Sequence, residues 1–285
     1  MPDDDSTTTC HTAVPLDNGD VVGLMVTTDG EYFVSSLMLL ENFPDGDELE
    51  LADEHRLVAD FDMIAPDHFI LAEGTGKVIE VRNGRVTQTA DLKTIFTGVH
   101  RAIDGRIYAF GFNGSVYQRD GITWRALPKL RSNVLCVRAS PAGIVYACGT
   151  DGLFASFDGS DWTAFDLSTN VDLQSLLVLD DGSVLLCGMS DFAGVWAAER
   201  WVQWDVPSSD YYDLALFKGR IFVGAGSEGL MVVEGSTFKV SKANVFSYSL
   251  RASARHLAIA GNNEIVRYDG KSYPCLEFNY DLEDE

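Results

Sequence analysis

The sequence predicts an all-β fold, a seven-bladed β-propeller with four antiparallel strands per blade, spanning residues 1–285 as a single domain. Two observations lead to this fold. Short apolar strands that end in glycine recur at a nearly constant interval, and each interval contains three tight-turn signals. The lack of any long amphipathic helical pattern agrees with them.

The repeat is clearest in apolar strands whose last residues are glycines 74, 111, 149, 188, 224 and 261, which follow one another at intervals of 36 to 39 residues. A copy without the glycine is expected at Glu31–Ser35, about one period upstream. Seven copies at this spacing fill the chain almost from end to end. We call these segments anchor strands; those with glycine are Phe69–Gly74, Ile107–Gly111, Val145–Gly149, Val184–Gly188, Ile221–Gly224 and His256–Gly261.

Each period is divided by turns rich in Asn-Gly and Asp-Gly, which accept positive φ in tight hairpins. One turn precedes the anchor strand, as at Asp29-Gly30 and Asp104-Gly105, and a second follows it, as at Asp151-Gly152. A third comes six to eight residues later, as at Asn83-Gly84 and Asp158-Gly159. Three turns delimit four strands, which make one blade.

Large side chains at repeated strand positions are expected to pack between blades. Cys148 and Cys187 occupy one anchor-strand position that is apolar in other copies, so we interpret them as packing residues. The aromatic residues that follow the third turn are expected to act as wedges where neighbouring sheets splay apart: Trp124, Trp162, Trp204, Phe238 and Tyr273.

The chain ends leave the closure of the ring open. Residues 1–16 are expected to form either an acidic N-terminal arm or a latch strand, in which Thr12–Leu16 would pair with the last copy. That copy can supply all four of its own strands, ending at Lys271–Phe278. Residues 279–285 are expected to be an acidic C-terminal tail.

Composition restricts the partners. There are 21 Lys and Arg residues against 43 Asp and Glu, a formal net charge of −22. Such a chain is repelled by nucleic acids and anionic membranes and attracts a basic protein partner. The alternative is that the acidity merely maintains solubility. The absence of a signal-like N-terminus and the five cysteines without framework spacing favour a cytoplasmic protein, expected to be monomeric on its own.

The sequence contains no recognisable catalytic or metal-binding pattern. The histidines at 11, 55, 68, 100 and 256 include no pair at metal-ligand spacing, and there is no Cys-x-x-Cys. Gly224–Gly229 looks like a glycine-rich cofactor loop but joins two strands, so it has no helix N-terminus to bind phosphate. We therefore predict no catalytic residue, no metal ion and no cofactor.

Two turns carry a family resemblance. Ser156–Trp162 and Asp120–Trp124 resemble shortened Asp-boxes, the turn motifs of sialidase-type and photosystem-assembly-factor-type propellers. This resemblance implies a propeller architecture. Sialidases also carry an arginine triad, a tyrosine nucleophile with a glutamate and an acid/base aspartate, and their Arg-Ile-Pro element is not found here. WD40 propellers are less similar, because their Gly-His and Trp-Asp signatures are absent from the expected places.

The predicted blades sort the loops onto two faces. Turns before the anchor strand and after the third strand should share an acidic face, whose carboxylates include Asp180 and Asp181. We expect the same face to carry Asp29, Asp45, Asp47, Glu48, Asp67, Asp104, Asp120, Asp158, Asp161 and Asp269.

The opposite face carries two irregular loops, Ser190–Ala193 and Ser208–Tyr212, whose acid-rimmed aromatics suit an interface hot spot. The alternative is that Tyr211 or Tyr212 begins the next strand and is buried. The candidate partner-binding residues from the two faces are Asp191, Phe192, Asp210, Tyr211, Tyr212, Glu228, Asp180 and Asp181.

The function predicted from these features is non-enzymatic protein binding. Its sharper form is suggested by a similarity to bacterial immunity proteins of secreted effectors: neutralisation of a basic toxin domain, such as a nuclease, by covering its active surface. One alternative is a sialidase-like or lyase-like enzyme using the central channel, which converging arginines or a His/carboxylate set would favour and small apolar or hydroxyl side chains would oppose. Another is an assembly factor or scaffold.

Overall fold

The computed structural model describes residues 6–278, and it confirms the seven-bladed propeller. These residues form seven antiparallel four-stranded sheets, and in each sheet the strands are neighbours in sequence order. The first strand of each blade contacts the first strands of the two neighbouring blades, so the first strands surround the centre of the ring. Within the described range there is one short 3-10 turn, Phe112–Gly114, and no helix with the length and hydropathy of a membrane span.

The first four blades differ mainly in the length of their strands, which are longest in blade 1. Blade 1 contains β1 (Thr7–Pro15), β2 (Val21–Thr28), β3 (Phe33–Leu40) and β4 (Glu48–Glu54); blade 2 contains β5 (Val58–Ala65), β6 (His68–Glu73), β7 (Lys77–Arg82) and β8 (Arg85–Asp91); blade 3 contains β9 (Phe96–Arg101), β10 (Ile107–Gly111), β11 (Val116–Asp120) and β12 (Thr123–Ala126); blade 4 contains β13 (Val134–Ala139), β14 (Val145–Gly149), β15 (Leu153–Phe157) and β16 (Trp162–Ala164).

The last three blades have strands of three to six residues. Blade 5 contains β17 (Leu173–Val178), β18 (Val184–Gly188), β19 (Ala193–Ala197) and β20 (Arg200–Gln203); blade 6 contains β21 (Asp213–Phe217), β22 (Arg220–Gly224), β23 (Leu230–Glu234) and β24 (Thr237–Lys242); blade 7 contains β25 (Ser249–Ala252), β26 (Leu257–Gly261), β27 (Glu264–Tyr268) and β28 (Cys275–Glu277).

The recurring glycine has a steric cause. In blades 2 to 5 the glycine that ends the anchor strand lies against the carbonyl group of the residue just before the first strand of the same blade. A Cβ on Gly149 would lie 1.8 Å from the Asn133 carbonyl oxygen, and one on Gly111 would lie 2.0 Å from that of Ile95. Because a side chain at Gly111 or Gly149 would collide with backbone, glycine is favoured at this position of the repeat.

Seven buried apolar clusters fill the seven interfaces between blades. The predicted aromatic wedges are confirmed for Trp124, Trp162, Phe238 and Tyr273, each of which packs on the cluster shared with the preceding blade. In blade 5 that position belongs to Trp201, paired with Trp196 across β19 and β20. Trp204 lies beyond β20 and packs on the cluster between blades 5 and 6. Cys148 and Cys187 are fully buried, as expected.

The register predicted for blade 1 was wrong. The second strand of that blade is β2, Val21–Thr28, and the predicted anchor Glu31–Ser35 contains the turn that follows it and the start of β3. Asp29-Gly30 therefore lies after the second strand, on the opposite face from the one predicted. The strand that was missed ends in Thr28, and a seven-residue turn at 41–47 lengthens the blade beyond the common period.

Within residues 6–278 the ring closes without exchange of strands. β1 pairs with β2 of its own sheet along its length, so the described part of residues 1–16 is the first strand of blade 1 and neither an arm nor a latch strand. Blade 7 uses its own four strands. The seam between blades 1 and 7 is held by side-chain packing of Cys10, Ala13 and Val21 against Ala258 and Phe278. The predicted tail at 279–285 lies outside the described residues.

The glycine contacts predict a matched pair of stability effects. Gly149→Ala should destabilise the fold by about 1–3 kcal/mol, because its Cβ must displace backbone in a close-packed interior. Gly74→Ala is the control, since Gly74 follows the equivalent strand of blade 2 and its Cβ would lie 3.3 Å from the Leu57 carbonyl oxygen. Urea unfolding at pH 7 measures both changes. Equal losses would contradict the steric explanation.

Candidate interaction surface

Two faces of the propeller are defined by the order of the strands. The connection face carries the turns between second and third strands together with the connections between blades, and the turn face carries the remaining turns. Of the predicted candidates, Asp191, Phe192, Glu228 and the loop with Asp210, Tyr211 and Tyr212 lie on the connection face. Asp180 and Asp181 lie on the turn face, in the turn between β17 and β18. The structure therefore does not bring the eight candidates together.

Two of the candidate aromatics are buried. Phe192 is 4% exposed and stacks on Trp201, with ring centroids 5.1 Å apart. Tyr211 has no exposed surface and packs against Phe238 at 4.8 Å, and its hydroxyl donates to the Pro207 carbonyl. The predicted hot spot was wrong for these two residues, and the alternative of a buried tyrosine before the next strand is correct for Tyr211. Tyr212 is partly exposed.

The two irregular loops are tied to each other through carboxylates. The Ser190 N–H donates to Asp210 Oδ1 at 2.8 Å, and the Ser209 N–H donates to Asp191 Oδ1 at 2.6 Å. The Asp191 N–H in turn donates to the Ser209 carbonyl at 2.9 Å. These bonds hold the turn of blade 5 and the connection to blade 6 as one ordered unit, so both carboxylates have a structural role as well as a charge.

One sector of the connection face carries charge of a single sign. In its loops between residues 150 and 229 there are seven carboxylates, and within these described segments there is no lysine, arginine or histidine. Lys242, which ends β24 just beyond them, has its Nζ 5.7 Å from the centre of the Tyr273 ring. We call these seven residues the acidic sector: Asp151, Asp166, Asp172, Asp191, Asp205, Asp210 and Glu228.

The turn face carries basic residues among the carboxylates that the sequence predicts there. Lys218 and Arg255 are exposed in its turns, and Arg106 forms an ion pair with Asp104, Nη2 to Oδ2 being 2.6 Å. Its Asp side chains also hold their own turns: Asp269 accepts the N–H groups of Lys271 and Ser272, and these bonds lower its pKa to about 2. The exposed Lys218 and Arg255 and the paired Arg106 therefore partly offset the negative charge of this face.

All four aromatic residues that are at least 36% exposed in the described structure lie on the connection face: Tyr32, Phe33, Phe112 and Tyr248. Tyr248 forms an edge-on pair with Tyr212, with centroids 4.7 Å apart. Gly226 allows this approach, since a Cβ there would lie 2.9 Å from the Tyr212 ring and 3.2 Å from the Tyr248 ring. The pair stands where the first strands of blades 6 and 7 begin, at the mouth of the central channel.

The central channel holds a cavity of about 190 Å³, lined by residues of all seven first strands. Inside it Arg251 bridges two buried carboxylates, with Nη1 3.0 Å from Asp213 Oδ2 and Nη2 3.4 Å from Asp60 Oδ1. Arg138 Nη2 lies 3.9 Å from Asp213 Oδ1. This network, which we call the hub, joins every blade: Thr12, Asp60, Val99, Arg138, Ser175, Asp213 and Arg251 come from blades 1 to 7 in that order.

Each hub carboxylate is satisfied by several donors. Asp213 accepts from the Ser175 hydroxyl and from the Leu250 N–H. Asp60 accepts from the Thr12 hydroxyl and the Val99 N–H, yet burial raises its pKa against the opposing effect of Arg251. Burial alone would lower the pKa of Arg251, but Asp60 and Asp213 raise it, so the guanidinium stays charged.

The side chains that line the channel are of the kind expected for the enzyme alternative, but they are paired with one another. Arginines and carboxylates do converge in it, as a catalytic channel would require. However, Arg251 is engaged by two carboxylates of the protein, and Asp60 and Asp213 are both paired with it. A ligand would have to compete with these internal ion pairs.

A second group of candidate ligands lies at the outer edge of blade 7. Donor atoms of Glu264, Cys275 and Glu277 lie within 4.8 Å of one another. Glu264 Oε1 accepts the Phe246 N–H at 2.5 Å, and Oε2 faces Cys275 Sγ at 3.6 Å. Burial and the charge of Glu264 raise the pKa of Cys275 to about 12. Because a thiol must lose its proton to bind a metal ion, this group does not favour one.

Sequence reasoning missed the hub and Tyr248. A signal for the hub exists in the polar residues that interrupt otherwise apolar first strands, such as Asp60 within Val58–Ala65. The partners of Asp60 could not be recognised in this way, because Arg251 is 191 residues away in the sequence.

Comparison with known proteins gives one related sequence and a well-populated fold. No protein-family model matches the chain. The immune protein Tsi7 of Pseudomonas aeruginosa is 31% identical over 197 residues, which cover 61% of this chain and 62% of that protein. The chain thus spans less than two thirds of that relative's length.

Two solved structures share the fold. The WD40 β-propeller domain of Doa1 has a TM-score of 0.78 at 11% identity and covers 94% of this chain and 96% of its own. YCF48 bound to a D1 peptide has a TM-score of 0.67 at 15% identity, with 90% and 91% covered. At these identities the two structures establish the propeller architecture alone.

The hub predicts a large stability effect for one substitution. Arg251→Met should cost about 3–5 kcal/mol at pH 7–8, because it leaves buried Asp60 without its counter-ion and Asp213 with only the longer contact to Arg138. The exposed Arg255→Met is the control and should change stability by less than about 0.5 kcal/mol. Denaturant unfolding measures both.

The same variant should show a characteristic pH dependence. Burial already raises the pKa of Asp60 in the folded protein, and without Arg251 this pKa rises further, so the stability of the variant is lost as the pH rises from the unfolded to the folded pKa of this group. The deficit should therefore be smaller near pH 5 than at pH 8. A deficit independent of pH would indicate a packing effect instead.

Proposed function

We propose that this chain is a non-enzymatic binding protein that neutralises a toxin by covering its active surface, in the manner of an immunity protein. The observation that carries the proposal is the similarity to the immune protein Tsi7, found independently of the charge and surface features. The partner is a basic protein domain, such as a nuclease, and the chain acts in the cytoplasm as a monomer until it meets that partner.

The electrostatics support a basic partner. The net charge of −22 gives long-range attraction to a cationic protein, and the acidic sector concentrates one sign of charge on one face. Association between oppositely charged partners is fast at low salt, which suits a protein that must bind a toxin before it acts. A nuclease has a cationic substrate surface because it binds phosphates, so an acidic propeller can occupy the same surface.

The arrangement of the channel supports a binding role over catalysis. Its arginines and carboxylates neutralise one another and join the blades, as expected for a structural network. Rigid propellers suit recognition by loops, because the sheets hold the loops in place while their sequences vary.

Co-expression tests the proposal. The protein encoded by the gene adjacent to the one for this chain should be toxic to bacteria when expressed alone and harmless when this chain is expressed with it. The purified pair should form a 1:1 complex whose association rate falls at least tenfold between about 20 mM and 300 mM salt, because exposed charges are screened. Unchanged toxicity, with no complex at low salt, would refute the proposed function.

A further inference from the structure

We propose that the basic partner docks on the connection face over blades 4 to 6, with the Tyr212–Tyr248 pair at the channel mouth as its aromatic anchor. This inference rests on the proposed function and names its surface. The partner it fits is a folded protein that presents arginine or lysine side chains, one of which stacks on the tyrosine pair while others face the acidic sector.

The tyrosine pair has the chemistry of a cation-recognising site. Tyr248 is 36% exposed and Tyr212 partly so, and their rings meet edge-on at 4.7 Å. Burial, and after it the nearby charge of Asp210, raises the pKa of Tyr212, so its hydroxyl remains a donor. An aromatic face beside a carboxylate attracts a guanidinium by both cation–π and ionic interaction, which places a partner's arginine there.

The backbone around this pair is held in place before any partner arrives. Gly226 and Ser247 exchange two backbone hydrogen bonds of 3.1 and 3.0 Å, and the Ser247 hydroxyl donates to the Gly229 carbonyl at 2.6 Å. The reciprocal bonds of Asp191 and Asp210 hold the neighbouring loops. Loops that are already ordered lose little conformational entropy on binding, so less of the free energy of the contacts made here is offset by ordering.

Charge selects this face over the other. The acidic sector contains seven carboxylates and no basic residue in the described loops that define it, whereas the turn face places Lys218 and Arg255 among its acids. Elsewhere on the connection face, Lys93 and Lys129 occupy the connections between blades 2, 3 and 4. Arg131 lies at the edge of the acidic sector, where its Nη2 donates to the Asp151 carbonyl at 3.3 Å. A cationic partner is therefore oriented towards blades 4 to 6, where aromatic surface adjoins the excess negative charge of the acidic sector.

The test compares two variants that lose the same charge on opposite faces. Asp191→Asn, Asp210→Asn and Glu228→Gln are combined on the connection face; the asparagines keep the Oδ1 acceptors that hold the loops. Asp180→Asn, Asp181→Asn and Glu199→Gln are combined on the turn face as the matched control. Binding of the protein encoded by the adjacent gene is measured for each by stopped-flow and surface plasmon resonance at two salt concentrations.

The connection-face variant should bind about 10- to 100-fold more weakly at low salt, chiefly through a slower association rate, and its affinity should depend less on salt. The turn-face control should stay within about twofold of the original protein in affinity. Tyr248→Ala should raise the dissociation rate at least tenfold, whereas Tyr32→Ala, an exposed tyrosine of blade 1 on the same face, should not.

Two results would overturn the inference, and they have different consequences for the proposed function. If the unmodified chain binds the adjacent protein but the turn-face variant weakens binding as much as the connection-face variant, the docking surface is elsewhere and the proposed function stands. If the unmodified chain does not bind that protein at low salt, the proposed function fails and the docking surface fails with it. Unchanged unfolding midpoints show that losses of binding are not losses of fold.

Discussion

The fold depends on a single arginine that holds two buried carboxylates in the middle of the ring. Arg251 comes from blade 7, and its partners Asp60 and Asp213 come from blades 2 and 6. Through the hydrogen bonds of those carboxylates the remaining blades are also connected. Since the described part of the chain exchanges no strand between the first and last blades, the ring is held closed by the hub and the apolar interfaces.

The buried ion pairs of the hub have an energetic cost, and they also favour one arrangement of the blades. Burying two carboxylates and a guanidinium is costly unless each finds several partners, and here each carboxylate accepts at least two further hydrogen bonds. An apolar core tolerates small shifts between sheets, but a directional ion pair does not. The hub thereby fixes the relative position of the first strands, and the loops that they carry on the connection face are presented at defined distances from one another.

How well each part of the fold could be predicted depends on how far apart in the sequence the interacting residues lie. Gly149 is visible in the sequence because a local backbone contact recurs in the blades. Blade 1 was misregistered because its second strand ends in Thr28 and its 41–47 turn lengthens the period. The hub was invisible because an ion pair across 191 residues leaves no local pattern. For the candidate surface, acidic loops were recognised, but the inward direction of Phe192 and Tyr211 depends on packing that Ser- and Asp-rich loop sequences conceal.

The seam without an exchanged strand also bears on how the ring assembles. Every sheet is built from strands adjacent in sequence, so each blade can form from contacts of short sequence separation. The seam is different, because it joins Cys10 and Ala13 to residues near 260 and 278, and closing so long a loop carries the largest entropic cost in the molecule. We therefore expect the seam to form late in folding, after an open arc of blades whose two terminal sheets still expose apolar faces. Such an arc is the species most prone to pairing with a second chain, and the rate at which the seam closes sets how long that exposure lasts.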